Sequence, residues 1–495
     1  MRGHPFWAVD GNRMTLGLSK SRILSHRQCP KRLWLQVRRP ELLDESVGSS
    51  AMAVGRTVGE LACQQHPDGV LIDAEDLRAA LRRTAQALTA KPRRPLFEAT
   101  FEHEGVLVRA DLLLPVARGW RMVEVKSSTS VKEYHVEDAA VQAWVLQGAG
   151  LPVWAKAVAH VDTGFVYPGG GDYDGLFVEE DVGPEVSDLL PEVPGWVDAA
   201  RRTLARRKEP DVAAGAQCTD PFPCPFQAHC IPEPEGYPVD ILPYGGKLIA
   251  RLREEGYSDL RDVPGERLSK PLHQRIWKAS RSGRAFLDPA LGDAVRGLSY
   301  PRFFLDFETI NPAIPLWEGT RPYQHIPFQW SCHIQDSEGG LRHEEFLAEG
   351  PDDPRCALTA ALLAALGSKG PILVWSDFEK TQLRELAKAL PDFARRIEKV
   401  VARLVDLRRL ANDHYYHPAM LGSWSIKAVL PTIAPKLSYD GLNVANGTMA
   451  QEAFSQILLS DLPEKDRRSL RGDLLKYCKR DTLAMVKIAA RFSKA

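Results

Sequence analysis

The sequence predicts an α/β protein with two cores joined by a short helical segment, and three observations carry that prediction. The 495 residues exceed the length of one ordinary domain, so two or more cores are expected. Strand-like apolar runs alternate with helical periodicity in two stretches, before about residue 235 and after about residue 299. Between them a Pro-rich stretch, CTDPFPCPFQAHCIPEPEGYPVD (218–240), forbids regular helix and reads as a wrapped loop.

The elements follow in order. Residues 1–235 open with helical patterns, continue with the strand-like PLFEATFEHEGVLVRADLLL (95–114) and WRMVEVKSS (120–128), then a helix over 134–149 and a strand at VWAKAVAHV (153–161). Residues 236–298 form a helical connector, with the 3.6-residue period in GGKLIARLREEGYSDL and KPLHQRIWKAS. Residues 299–495 return to alternation: FFLDFET, PFQWSCHI, RHEEFL, a helix over 354–366, PILVWS, then mainly helix. No internal repeat is visible, and no G-x-x-x-x-G-K-[ST] phosphate loop, which argues against a built-in helicase motor.

Hydrophobic and charged contents of 44% and 26% fit a soluble globular chain, with no apolar run long enough to cross a bilayer. The first residues, MRGHPFWAVDGNRM, lack the apolar centre of a secretory signal, so a cytoplasmic location without membrane attachment is expected. In that compartment the eight cysteines stay reduced, and clustered cysteines point to metal before disulfides. Lys plus Arg equals Asp plus Glu at 64 each, so net charge neither supports nor excludes a polyanionic partner. Basic runs interleaved with aromatics, such as RILSHRQCPKRLWLQVRR (22–39), are the pattern of a surface that tracks a nucleic-acid backbone; solvated helix faces give the same pattern.

YPRFFLDFETI (300–310) places two acids in an apolar strand. Alternation puts Phe304, Asp306 and Glu308 on one face and Phe303, Leu305 and Phe307 on the other. Two like charges pointing the same way call for a cation between them; an edge strand with a solvated acidic face is the other reading. ILVWSDFEKTQL (372–383) carries Asp377 and Glu379 where an apolar strand runs into a helix, and LKYCKRDTLAMVKI (475–488) puts Tyr477 and Asp481 four apart on one helix face. This order resembles the DnaQ-like 3′-5′ exonucleases of RNase H fold, in their tyrosine subtype, over about 190 residues. The resemblance implies Asp306, Glu308 and Asp481 as ligands of two Mg2+ or Mn2+ ions, Glu379 as the fourth acid, and Tyr477 orienting the attacking water. The family usually has Asp after the phenylalanine of its second motif. Here Glu379 follows Phe378 with Asp377 two residues earlier; Glu379 is preferred and the choice stays open. Asp406 and Lys427 are supporting candidates, which helix capping and surface exposure explain nearly as well.

RADLLLPVARGWRMVEVKSST (109–129) reads as a hairpin with its turn at Pro115–Gly119, Asp111 on one strand and Glu124 and Lys126 facing the same way on the next. An acid for metal and a cation for developing phosphate charge then sit together. The following helix can project Tyr134, Asp138 and Gln142 along one side. This ensemble resembles the RecB-like branch of the PD-(D/E)XK nucleases. The resemblance implies Asp111, Glu124 and Lys126 as the catalytic core, with metal on the two acids, Gln142 supporting it, and Glu60 as the acid from an earlier helix. Cys29 before this unit and Cys218, Cys224 and Cys230 after it, spaced C-x5-C-x5-C, resemble the iron-sulfur nucleases of CRISPR adaptation and of the AddB subunit, which implies a 4Fe-4S cluster closing the domain. The family's usual spacing is C-x2-C-x5-C, and the wider first gap keeps zinc as the alternative. Cys63, Cys332, Cys356 and Cys478 are expected as ordinary core or surface residues.

As a whole, the order of an iron-sulfur RecB-like domain (1–235), a connector (236–298) and a DnaQ-like domain (299–495) resembles a family of uncharacterised bacterial proteins. The expectation is a metal-dependent nuclease with two active sites, acting on DNA ends or single strands ahead of RNA, in repair or antiviral defence, with a helicase or defence complex as partner in trans. The rivals are an RNA-processing exonuclease using the C-terminal site and a non-catalytic nucleic-acid-binding subunit.

Overall fold

The computed structural model describes residues 17–74, 76–231 and 235–495; the stretch MRGHPFWAVDGNRM, expected to lack a secretory signal, lies outside the described residues. The chain has a mixed α/β architecture in two compact units. One comprises Met1–Glu233 with Pro312–Tyr323, the other Pro234–Asn311 with Gln324–Ala495.

The first unit is built on a mixed sheet of β1 (Leu18–Ser19), β2 (Val70–Leu71), β3 (Leu96–His103), β4 (Val106–Val116), β5 (Gly119–Lys126), β6 (Val153–Val161) and β7 (Phe177–Asp181). The order is β2-β3-β4-β5-β6-β7, with β1 parallel to the start of β4. Glu104 and Gly105, both at positive φ (46° and 67°), make the two-residue turn between β3 and β4, the geometry that matches strand twist. Between β4 and β5 the turn is Ala117 and Arg118, since Val116 pairs with Gly119. It is tighter than the expected 115–119, and Pro115 lies in the strand opposite Trp120.

Helix Glu133–Gly148 covers one sheet face, where Ala139, Ala140 and Ala143 permit close approach to Val108, Ala110 and Met122. Face alternation breaks at two neighbouring points. Ala99 and Ala110 pack under this helix, while Phe97 and Leu112 pack on the opposite face. Glu98 and Asp111 occupy the break, and Glu98 has φ 55°, a conformation a non-glycine residue holds only against a local cost. Residues 312–323 belong here through Ala313 and Ile314, which pack with Val58, Leu61 and Val161, and through paired bonds between Tyr167 and Gly319 and Thr320 (2.8 and 2.9 Å).

In the second unit the strands are β8 (Phe286–Leu287), β9 (Arg302–Ile310), β10 (Ile326–Gln335), β11 (Leu341–Leu347), β12 (Ile372–Val374), β13 (Leu404–Asp406) and β14 (Tyr415–Tyr416). A five-stranded mixed sheet runs β11-β10-β9-β12-β13, with β9 central, antiparallel to β10 and parallel to β12. Phe303, Leu305 and Phe307 pack with Leu358, Leu362 and Leu383 on one face. Phe304 packs on the other with Met485 and Ile488 of the long helix Glu464–Phe492. Residues 236–298, expected as a separate connector, share that second core through Leu252, Ile276 and Leu291, because their amphipathic helices have this face to bury against. Among the described residues no helix is long and apolar enough to cross a membrane.

Candidate functional site

Asp306 and Glu308 project from the middle of β9 toward the face carrying helix Glu464–Phe492. That helix is held in rotation by Thr482, whose hydroxyl lies 2.9 Å from Ser331 Oγ and 2.8 Å from His333 Nδ1, and by Gln329 donating to the Leu474 carbonyl at 3.0 Å. Fixing Thr482 fixes its neighbour Asp481. Tyr477, one turn earlier, is buried beside it.

Glu379 enters from the start of helix Phe378–Ala389, buried, with Ser376 Oγ donating to it at 3.3 Å. Asp377, the other acid of that motif, is exposed and 3.9 Å from Lys380. Asp406 caps helix Leu407–His414 by accepting from the Arg409 N–H (2.9 Å), and its charge reaches Glu379.

The four acids repel one another in a desolvated setting. Burial, then Asp481, Glu308 and Glu379, hold the Asp306 carboxyl well above its ordinary range; burial and Asp481 do the same to Glu308. Burial pushes Glu379 up to about 7 and Asp481 up to about 6, the latter against the opposing Tyr439 hydroxyl and Lys427. Tyr439 donates to Asp481 Oδ1. The Lys427 ammonium lies 5.2 and 5.4 Å from the ring centroids of Tyr439 and Tyr477. Among the described residues, the ligand atoms of Asp306, Glu308 and Cys478 form one group within 4.8 Å of one another. Buried acids without a matching set of cations are the donor set of a divalent-metal site, and the residues fit such an ion.

In the N-terminal unit the register Leu112↔Val123 sets Asp111 beside Glu124, and Asp111 Oδ2 accepts from the Val125 N–H at 2.8 Å. Two ammonium groups enter this centre. Lys126 Nζ lies 2.8 Å from Glu124 Oε1 and also binds Asp138; Lys20, at the start of helix Lys20–Gln28, lies 2.7 Å from the same Glu124 oxygen and 3.1 Å from Gln142 Oε1. Burial raises Glu124, but Lys126 and Lys20 outweigh it and hold the carboxyl well below its ordinary range. Asp111, raised by burial and by Glu124, reaches about 7. Among the described residues, Glu124 Oε2 and Gln142 Nε2 are buried without hydrogen-bond partners of ordinary geometry, and Asp138 Oδ1 makes a 3.3 Å ion pair with Lys20 while the Asp138 carboxyl also interacts with that of Glu124. Those orphaned atoms fit an added ion or water. Glu60 is exposed on helix Ser49–Gln64, and its charge acts on Cys63 together with Glu98 and Asp111.

Cys29, Cys218, Cys224 and Cys230 line one small cavity with Lys31 and Arg32, and all four are free thiols. Cys29 sits at the junction of helices Lys20–Gln28 and Pro30–Arg38, and the Cys224 N–H donates to the Cys218 carbonyl at 2.8 Å. The topology therefore brings the first cysteine to the last three. Nearby, Arg22, Arg27, Arg32, Lys132, Tyr134 and Phe222 line a groove of about 1070 Å³.

Residues 303–425 match a family described as a domain of unknown function, DUF2779. An uncharacterized protein of Mycoplasma pneumoniae is 26% identical over 211 residues, 39% of this chain and 32% of the relative. One from Ureaplasma parvum is 21% identical over 273 residues (50% and 39%), and one from Mycoplasma genitalium 23% over 211 (39% and 32%). The chain spans about a third of the length of these curated relatives, so it is similar to uncharacterised bacterial proteins over a part of them. The DUF2779 match holds Asp306, Glu308, Glu379 and Asp406, and stops short of Lys427, Tyr439, Tyr477 and Asp481.

Four residues at these centres escaped the sequence reading. Lys20 and Tyr439 stand in stretches with no motif spacing. Glu98 was within reach: reading Glu104-Gly105 as a two-residue turn sets His103 opposite Val106 and hence Glu98 beside Asp111. Cys478, expected as an ordinary core or surface residue, has its Sγ 3.6 Å from Asp306 Oδ2. It follows Tyr477 directly, and the single residue step turns it toward β9.

Proposed function

We propose that the chain is a divalent-metal-dependent nuclease that hydrolyses phosphodiester bonds, with DNA ends or single strands preferred to RNA. One observation carries the reading: Asp306, Glu308, Glu379 and Asp481, drawn from a strand and two helices far apart in sequence, converge in a buried cluster where burial and mutual repulsion raise their carboxyls. The five-stranded order with β9 central and the long last helix support an RNase H-like, DnaQ-type unit. The β4–β5 hairpin followed by helix Glu133–Gly148 supports a PD-(D/E)XK-type unit in the first half.

Asp306, Glu308 and Asp481, with Glu379, would hold Mg2+ or Mn2+. Such ions, when bound, activate water and stabilise the leaving oxygen of an in-line displacement. The chain's own share is positional. Tyr439 and Tyr477 hold Asp481, and the Tyr477 hydroxyl orients the attacking water. Lys427 contributes positive charge beside Glu308 and Asp481. In the first unit Asp111 and Glu124 would hold the metal while Lys126 offers its charge to the scissile phosphate. The four thiols brought together from both ends of the unit are the ligand set of a 4Fe-4S cluster. Zinc sulfurs at 2.3 Å from the metal lie about 3.8 Å apart, and among the described residues these four form no group that tight. The groove of arginines with Tyr134 and Phe222 suits a nucleic-acid backbone and stacked bases.

Lys20 favours a second reading of the first unit alone. By neutralising Glu124 and Asp138 it leaves a centre that can bind nucleic acid without cleaving it. End-labelled single- and double-stranded DNA and RNA, incubated with and without Mg2+ or Mn2+, test both readings. Metal-dependent cleavage should survive neither Asp306→Asn combined with Lys126→Ala nor chelation. Cleavage that persists in the double variant rejects the assignment, and complete loss with Asp306→Asn alone assigns the first unit to binding.

A further inference from the structure

Cys478 is fully buried against Asp306 of β9. Its Sγ lies 3.6 Å from Asp306 Oδ2 and 3.9 Å from the Asp306 carbonyl oxygen. Glu308 points into the same space. It is 7% exposed, and no hydrogen-bond donor meets its carboxylate among the described residues. A thiol and two carboxylates thus converge within 4.8 Å of one another, while Asp306 keeps partial contact with solvent as a way in.

We infer that the C-terminal carboxylate centre is a mixed thiol–carboxylate metal site, in which Cys478 Sγ joins Asp306 and Glu308 around a thiophilic divalent cation of the zinc class. This rests on the metal-centre reading above and adds to it a ligand and a selectivity. Mg2+ takes oxygen ligands and leaves a thiol aside, whereas zinc-class ions take sulfur together with carboxylate oxygen. A single site that offers both sets a competition: a hard ion engages the carboxylates, and a soft ion takes the same Asp306 and Glu308 with the sulfur added. Ligation is balanced by loss of the thiol proton to solvent, the sulfur keeping the electron pair as thiolate. Zinc-class ions therefore displace the hard ion from this centre and block it. A cysteine that merely fills space would confer no such preference.

The test uses the full-length protein with its four-cysteine centre intact, Cd2+ as the spectroscopic probe of sulfur ligation and Mn2+ as the hard-ion probe. Wild type should take up an additional equivalent of Cd2+ relative to Cys478→Ser, with extra ultraviolet thiolate-to-metal charge-transfer absorption. Cd2+ affinity at the centre should fall at least about tenfold in the variant, since even outer-sphere partners of a metal are worth 10–100-fold. The Mn2+-induced rise in Tm should be retained in Cys478→Ser, and Zn2+ should abolish it in wild type but not in the variant at the same concentration. Cys478→Ala serves as the second variant if a buried serine unfolds the helix contact. Equal Cd2+ uptake and absorption in wild type and both variants, with Mn2+ stabilisation intact, overturns the thiol ligand and leaves the metal centre standing. No Mn2+ stabilisation in wild type, with Cd2+ uptake unmoved by Asp306→Asn, overturns both.

Discussion

Glu124 in the first unit is buried against two ammonium groups, Lys20 and Lys126, each within 2.8 Å. Asp306 and Glu308 in the second unit are buried against other acids, with Lys427 bonded to the Ala445 carbonyl and its charge acting on Glu308. The shifts follow: Glu124 goes down, Asp306 and Glu308 go up. The first centre is compensated by the chain itself, and an incoming ion must compete with lysines for the same oxygens. In the second, among the described residues, no cation forms an ion pair with these acids, and an ion there relieves repulsion that folding has created. Metal should therefore stabilise the second unit far more than the first.

The largest effect expected from this contrast is on Lys20. Replacing it with Ala strips one partner from a buried pair and should cost the first unit about 3 kcal/mol. Urea melts would measure the loss, and faster amide exchange in helix Glu133–Gly148 would localise it. A cost near zero would mean that Lys126 alone compensates Glu124. Asp306→Asn should go the other way in the metal-free protein. Removing one of four repelling charges should raise stability by about 1 kcal/mol or more, one pKa unit being worth about 1.4 kcal/mol. It should also remove most of the Mn2+-induced rise in Tm. A strongly destabilised Asp306→Asn with an unchanged metal response would make the two centres alike and sink the C-terminal assignment.

The pH dependence separates them further. Glu379 and Asp481, at about 7 and about 6 when folded, hold more protons in the native state than in the unfolded one between their ordinary range near 4 and those values. Metal-free stability should therefore fall as pH rises through that window, and Glu379→Gln should flatten the fall. Asp111, also at about 7, adds a share of the same sign from the first unit. Glu124 is depressed, so its contribution is present above its ordinary range and is lost as pH falls below it. With Mn2+ the trend over the upper window should reverse, because the ion needs carboxylates free of protons. Melts over this range with and without Mn2+ would show parallel curves if the second centre binds no metal.

How much of this could be read from the chain depends on the range of each interaction. The two faces of β9 followed from alternation, because Phe303, Leu305 and Phe307 had to find one core and Phe304 another. Helix Glu133–Gly148, expected over 134–149, was legible from its period. Glu379 is buried and Asp377 exposed, a tertiary difference that the sequence reaches only through the position of Glu379 after Phe378. Lys20 lies 104 residues from Glu124, and nothing local to it signals that distance. Residues 312–323 stand between β9 and β10 in sequence yet pack with the first unit, a choice made by Ala313 and Ile314 finding an apolar surface beside Val58 and Leu61.

The smallest expected effect tests whether the second centre is organised by hydroxyls where the first is organised by lysines. Tyr439 donates to Asp481 Oδ1, and Lys427 sits over both tyrosine rings. Tyr439→Phe keeps the ring and its contact with the cation and removes only the donor. The expected loss is about 1 kcal/mol, the net worth of one such bond. Asp481, left with burial less opposed, should titrate higher still, so the pH above which Mn2+ raises Tm should move upward. A purely packing tyrosine would leave that pH where it is in wild type. Tyr477→Phe should move it as well, because its hydroxyl also acts on Asp481. If neither phenylalanine variant shifts the onset of metal stabilisation, the hydroxyls do not organise Asp481, and the cations Lys427 and Arg480 must account for the charge that this buried carboxylate tolerates.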